Sequence, residues 1–260
     1  KFLPMKIGIF FGGPAREREI SFLGGKTVFT HLNRTLFQPV PVFIDGRGDF
    51  ILLQPELMRS ENIRAFYPPP GVSTPGTMDV GGFTVYDESL GDLPEAQLEA
   101  MIHAVGQRIR PHEFREHFDF AFLIVHGPQL EDGAIQGLLE WYGVPYYGSG
   151  LMGSGIGIDK IAQNRLIQAT VGLDKRTAVL RKDEWDSTDH ALIFERLKAE
   201  VGLPFVAKAP HQGSSIGVAF VKTDDLGQFE KAIRQCLFQD EITAADNAIE
   251  EVVQIPYRGQ

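Results

Sequence analysis

Apolar residues recur along this chain in two rhythms, and the alternation between them predicts the fold class. Lys6 to Gly12 (K-I-G-I-F-F-G) is a short apolar run suited to a buried strand, and Ile20 to Leu32 then carries apolar residues at helical spacing. Phe37 to Ile44 is a second apolar run; Pro39 and Pro41 remove two ladder donors from it and predict an extended edge strand. Pro94 opens a helix to about Ile109, because proline is tolerated in a first turn. Phe118 to Val125 (F-D-F-A-F-L-I-V) is the strongest buried-strand pattern, it ends at His126-Gly127, and a helix is expected over Ala134 to Tyr142. Strands alternating with helices imply an α/β fold with a doubly wound, mostly parallel sheet, whose ligands gather beyond the carboxyl ends of the strands. Gly13, Glu17 and His126 all fall at such ends.

The rhythm breaks in two places. From about 45 to 93, Pro68-Pro69-Pro70-Gly71, Pro75-Gly76 and Gly81-Gly82 punctuate short alternating pieces, which reads as a hairpin-rich insertion. After Gly150 the order becomes helix Asp159 to Thr170, strand Thr177 to Arg181, helix Thr188 to Val201, strands Phe205 to Ala209 and Gly217 to Val221, helix Asp224 to Leu237 and strand Ala248 to Val253. That is an α+β pattern. The Gly-Ser-rich stretch Gly148 to Gly157 separates it from the first, giving an N-terminal domain over 1–148 and a second over 149–260.

Composition narrows the partners. With 43% hydrophobic and 23% charged residues, the 260-residue chain belongs with ordinary globular proteins. A net charge of −9 argues against a nucleic-acid binder working through a basic face, although a nucleotide needs only a few local cations. No apolar run approaches the roughly 20 residues that span a bilayer. The single cysteine, Cys236, rules out an intramolecular disulfide, fits a reducing cytoplasm, and sits in an apolar helical pattern as a buried, inert thiol.

The chemistry concentrates in Lys208-Ala-Pro-His-Gln-Gly-Ser-Ser-Ile-Gly-Val218. A lysine ends an apolar strand; Gly213 and Gly217 allow close backbone approach, while Ser214 and Ser215 supply hydroxyl and N–H donors, so the stretch can grip phosphate. A solvated lysine before an ordinary turn is the alternative. Lys160 is a second cation, in a first helical turn where it opposes the helix dipole and so favours a nearby anion. Glu17 lies in the charge run Arg16-Glu17-Arg18-Glu19, which reads either as a solvated helix start or as a ligand site. Ser21 fits a local cap equally well, and His126 is either a structural histidine or part of a site at the sheet's carboxyl edge. Glu250-Glu251 is a solvated pair or an acceptor for ribose hydroxyls. Gly12-Gly13 lacks the G-x-G-x-x-G spacing, and Gly25-Lys26-Thr27 has Ile20 where a P-loop needs its first glycine, so neither nucleotide fingerprint is met. No His, Asp and Glu cluster has metal-ligand spacing.

Four motifs stand in a meaningful order: Gly12-Gly13-Pro-Ala-Arg-Glu17-Arg-Glu-Ile-Ser21, His126-Gly-Pro-Gln-Leu-Glu131-Asp132-Gly133, Pro145-Tyr-Tyr-Gly-Ser-Gly150 leading to Ile158-Asp159-Lys160, and the Lys208 loop. Together they resemble the D-alanine–D-alanine ligase family of the ATP-grasp enzymes, over about Lys6 to Val253. The resemblance implies a pre-ATP-grasp N-terminal domain followed by an ATP-grasp lobe, and ATP-dependent joining of two D-alanine molecules through an acyl phosphate for peptidoglycan synthesis. It implies that Glu17, Ser21, His126 and Ser214 face the amino acids. Lys160, Lys208, Gly213, Ser215, Gly217, Glu250, Glu251 and Val253 would then face ATP. Mg²⁺ is implied for the complete enzyme, as is a homodimer through the N-terminal domain.

The chain departs from the family pattern at Leu130, where H-G-x-x-G-E-D-G has glycine, at Asn164, where a second lysine is common, and at Ala209, where proline is usual. In the family a further region follows, with the metal ligands, a transition-state arginine and a mobile loop. This chain ends at Gln260, so no catalytic residue is assigned in it and it is not expected to catalyse as it stands; its start at Lys1 rather than a methionine suggests that the natural start lies elsewhere. Another ATP-grasp carboxylate–amine ligase and a non-catalytic nucleotide-binding paralogue are the alternatives.

Overall fold

The computed structural model describes residues 3–15, 17–67, 94–172, 175–213 and 215–239. These fall into two compact units divided between Gly155 and Ile156. Among the described residues, no helix is long and apolar enough to cross a membrane.

The first unit is built on β1 (Met5–Gly12), β2 (Phe37–Ile44), β3 (Phe50–Leu53), β4 (Gly106–Ile109), β5 (Phe120–Leu123) and β6 (Tyr146–Tyr147), in the order β4-β3-β2-β1-β5-β6. Strands β2, β1, β5 and β6 run parallel, and β3 and β4 add antiparallel to one side, so the sheet is mostly parallel. Successive side chains of a strand point to opposite faces. Phe11 therefore packs on one side with Phe22 of α1 (Arg18–His31) and with Leu98, Met101 and Ile102 of α2 (Glu95–Val105). Its neighbour Phe10 packs on the other with Phe114 of α3 (Phe114–His117) and with Ile135 and Leu139 of α4 (Ala134–Trp141). Both faces are thus covered by helices, as a parallel sheet requires.

Three boundaries differ from expectation. β2 is interior rather than an edge: it pairs with β1 along its whole length, but β3 joins only at Val42–Ile44, so Pro39 and Pro41 precede the stretch where β3 would need donors. The helix from Pro94 stops at Val105, and β4 begins at Gly106 because a Cβ there would sit 2.0 Å from the Leu52 carbonyl oxygen. The ladder of β5 is shorter than the apolar run because Ser21 takes the Ile124 carbonyl. Of the expected hairpin-rich insertion, the described part holds the β2–β3 hairpin and two short 3₁₀ turns, at Pro55–Arg59 and Ile63–Ala65; residues 68–93 lie outside the described ones.

The second unit comprises α6 (Lys160–Val171), α7 (Lys182–Ser187), α8 (His190–Val201), the antiparallel pair β7 (Phe205–Lys208) and β8 (Val218–Val221), and α9 (Leu226–Cys236); α5 (Leu151–Ile158) contains the division. Phe194 and Phe229 stack at 4.6 Å in its core, joined by Trp185, Leu197, Val221 and Ile233. Thr177 to Arg181 is not a strand: Ala178 and Leu180 pack on this core from an irregular segment, so the alternation reflects one-sided burial without a ladder partner. Helix α7 follows and buries Trp185, which stacks on His190 at 3.7 Å. Cys236 is half-buried rather than buried, and burial pushes its thiol up, away from the reactive thiolate. The expected strand Ala248 to Val253 lies outside the described residues.

Candidate functional site

In the first unit, the candidate residues meet at the carboxyl ends of β1 and β5. Gly12 and Gly13 both take positive φ, which turns the chain from β1 toward α1. The turn is fixed on several sides. The Gly12 N–H donates to the Ser21 hydroxyl at 2.8 Å, the Gly13 N–H donates to the Ile44 carbonyl at 2.7 Å, and the guanidinium of Arg18 donates to the Gly13 carbonyl at 2.9 Å. Ser21 in turn donates to Ile124, so its hydroxyl ties the β1 turn to the end of β5. Its place is structural, beneath the loop that presents Glu17.

His126 follows the end of β5, and its Nδ1 lies 3.6 Å from Glu131. Glu131 also accepts from the Gly127 N–H at 2.7 Å, while Asp132 accepts from Gln129 and Ala134 at 2.6 and 3.0 Å. The acidic pair therefore braces its own loop from within. Gly127 sits against the preceding motif: a Cβ on it would lie 2.5 Å from Ala15 Cβ and 3.1 Å from a Glu17 carboxylate oxygen. The Glu17 carboxylate is thereby brought next to the residue that follows His126, two segments separated by more than one hundred residues in sequence.

In the second unit, the loop joining β7 to β8 follows Lys208, which pairs with Val218 across the hairpin. Ala209 donates to the Gly217 carbonyl at 2.7 Å and Ile216 to the Gly213 carbonyl at 2.9 Å, closing a compact loop. Gly217 has φ +63°, and a Cβ on it would lie 2.7 Å from Ala209 Cβ, so this approach needs glycine; Ser215 also takes a positive φ. Lys160 reaches the loop from the start of α6: its ammonium donates to the Pro210 carbonyl at 3.2 Å and to the Gln212 carbonyl. Burial lowers the Lys160 pKa, and the nearby charge of Lys208 lowers it further. Two ammonium groups close enough to repel each other beside a glycine-containing loop suit a polyanion such as a nucleotide phosphate chain.

Asp159 caps α6, accepting from Ile161 at 2.8 Å and Ala162 at 3.1 Å, and its other oxygen lies 3.4 Å from His211 Nε2. The backbone bond from Ala162 leads in holding its carboxyl below the usual range. Among the described residues, no three His, Cys, Asp or Glu side chains gather as a metal site. Ser214, Glu250, Glu251 and Val253 lie outside the described residues. Sequence reasoning missed Arg18, which is buried rather than part of a solvated run, and the roles of Leu130, Asp159 and His211. Only Asp159 carried a local signal, an aspartate directly before a helix.

Solved structures share this fold. A D-alanine-D-alanine ligase from Coxiella burnetii superposes with a TM-score of 0.63 at 23% identity, over 91% of this chain and 61% of that one. A D-Ala:D-Ser ligase from Enterococcus faecalis gives 0.60 at 22% identity, over 92% and 61%. The fold is therefore the one these two structures have. Family models described as D-ala D-ala ligase N-terminus and C-terminus match residues 6–149 and 167–255. The chain belongs to the D-alanine–D-alanine ligase family. Curated relatives of that name include one from Natranaerobius thermophilus, 26% identical over 84% of this chain and 53% of its own length. Another, from Streptomyces avermitilis, is 30% identical over 90% of this chain and 58% of its own length. The chain thus spans somewhat more than half the length of these relatives.

Proposed function

We propose that this chain forms the amino-acid-holding part and a portion of the nucleotide-holding part of an ATP-dependent D-alanine–D-alanine ligase that makes D-alanyl-D-alanine for peptidoglycan in the cytoplasm. The observation that carries the reading is the approach of the Glu17 carboxylate to Gly127, where an added Cβ would lie 3.1 Å from a carboxylate oxygen, beside His126 and at the carboxyl edge of a parallel sheet. Glu17 holds the ammonium of the first D-alanine, and His126, oriented by Glu131, stands beside that substrate. Ser21 keeps the Glu17 loop in place.

ATP supplies the phosphoryl group that turns a substrate carboxylate into an electrophile. Lys160 and Lys208 bind its phosphates, and the loop through Gly213, Ser215 and Gly217 brings backbone N–H groups to them. Ser214, Glu250, Glu251 and Val253 are assigned to the same ligands by family resemblance. The residues that would hold Mg²⁺ are not among those described. The amino-acid role is assigned to 1–148 and the nucleotide role to 149–260, of which 149–155 lie in the first compact unit, and association is through the N-terminal domain as a homodimer.

Equilibrium binding of labelled D-alanine and of ATP tests the assignment. Glu17→Gln is expected to weaken D-alanine by at least about tenfold and leave ATP unchanged, because a charge-assisted bond contributes roughly 1.5–3 kcal/mol. Lys208→Met should do the reverse. Equal effects of both substitutions on both ligands, or no D-alanine binding by the unsubstituted protein, refute the reading. An acceptor panel of D-alanine, D-serine and D-lactate with the intact protein then separates a D-alanine ligase from a relative with another acceptor.

A further inference from the structure

The two substrate-facing segments of the first unit interlock through a pair of glycines. On the β1 turn, Gly13 receives Leu130: a Cβ built on Gly13 would lie 2.2 Å from Leu130 Cδ1. On the β5 loop, Gly127 receives Ala15 and the Glu17 carboxylate. Each segment therefore contributes one glycine and a bulkier partner group, Leu130 from one and Ala15 with Glu17 from the other.

Leu130 is anchored beyond that contact. It is 4% exposed and belongs to the core cluster with Phe10, Ile135 and Leu139. Its N–H donates to the Gly127 carbonyl at 3.2 Å, and its own carbonyl accepts from the buried Gln136 side chain at 3.3 Å. Gly13 is equally constrained, by Ile44 and Arg18. The buried isobutyl group thus fills the space between the two backbones and limits how closely they approach.

We propose that Leu130 is a positioning residue that sets the separation of the Glu17 carboxylate from the His126 ring, and through it the affinity for the first amino acid. The inference rests on the assignment of those two groups to D-alanine. Shortening Leu130 lets the β1 turn settle toward the β5 loop, which shifts Glu17 against Gly127 without altering either charged group. Misplacement of a binding group by even about 1 Å is enough for large losses, up to about a hundredfold in rate for catalytic geometry.

The test compares Leu130→Ala and Leu130→Met in the intact protein, with labelled D-alanine and ATP measured separately by equilibrium dialysis. Leu130→Ala is expected to weaken D-alanine by about tenfold or more while ATP affinity stays within about twofold, since Lys160 and Lys208 belong to the other unit. Leu130→Met, which nearly keeps the volume, is expected to restore D-alanine to within about threefold. If Leu130→Ala does not fold, Leu130→Val replaces it, with an intermediate loss expected. Wild-type D-alanine affinity in a folded Leu130→Ala or Leu130→Val variant overturns the inference and leaves the ligase reading standing. Failure of the unsubstituted protein to bind D-alanine overturns both, and is seen before any variant is made.

Discussion

Replacing Gly217 by alanine puts a methyl group where the loop between β7 and β8 closes on itself. Gly217 has φ +63°, and forcing an L-residue into that region costs about 1–2 kcal/mol. The new Cβ would also lie 2.7 Å from Ala209 Cβ and 3.0 Å from the Phe238 ring. Ala209 cannot rotate away, because its N–H is held by the Gly217 carbonyl at 2.7 Å, so crowding adds about 1–3 kcal/mol. Alanine restricts the unfolded chain and offsets about 0.4–1 kcal/mol. The net expectation is a loss of about 1–4.6 kcal/mol in the second unit. Trp185, buried in that unit, reports its unfolding by fluorescence once the exposed Trp141 is replaced by phenylalanine. With a urea dependence of about 2 kcal/mol per molar, the midpoint should fall by roughly 0.5–2 M, and ATP affinity should fall with it. Adding Ala209→Gly should recover the Ala209 share of the crowding but not the Phe238 or backbone parts, in a double-mutant cycle. A Gly217→Ala protein that unfolds at the wild-type midpoint refutes the account of why glycine stands there.

Ser21→Ala should cost about 1–3 kcal/mol by chemical denaturation, since it leaves the Gly12 N–H and the Ile124 carbonyl without their shared partner, and should weaken D-alanine binding without removing any charge. Asp159→Ala should lose about 1 kcal/mol as a helix cap while Asp159→Asn retains most of it, a difference visible in the same urea titration. Tyr146 donates to Glu140 at 2.6 Å, and burial together with that bond pushes its phenol up to about 12, against about 10 in an unfolded chain. Its stabilising contribution is therefore present below pH 10 and lost as pH rises through 12, so unfolding followed across that window should show a decline that Tyr146→Phe removes.

The strands and helices that sequence patterns located best were those with strong local periodicity, such as β1, α4 and α8. Where reading failed, the deciding partner was remote. Gly106 ends α2 because the Leu52 carbonyl lies against it, and Pro39 and Pro41 fit an interior strand because β3 joins further along; neither fact is encoded locally. The site divides the same way. Gly13, Glu17 and His126 were legible because each follows an apolar run at a strand end, whereas Arg18 looked solvated within its charge run and is buried through a bond to Gly13. Leu130 registered only as a glycine missing from a motif; what it does instead depends on Gly13, more than one hundred residues earlier.

Among the described residues the outermost strands of the sheet, β6 with two residues and β4 with four, are shorter than the eight-residue β1 and β2 at its middle. Open strand borders are templates on which a second chain can lay its own backbone, and brevity is one way of blunting them. Arg108 on β4 adds charge at that border, held among Asp49, Glu95 and Glu99. The two long strands at the middle of the sheet are therefore bordered, among the described residues, by short segments that offer a neighbouring chain little backbone to pair with, which discourages lateral growth into fibrils.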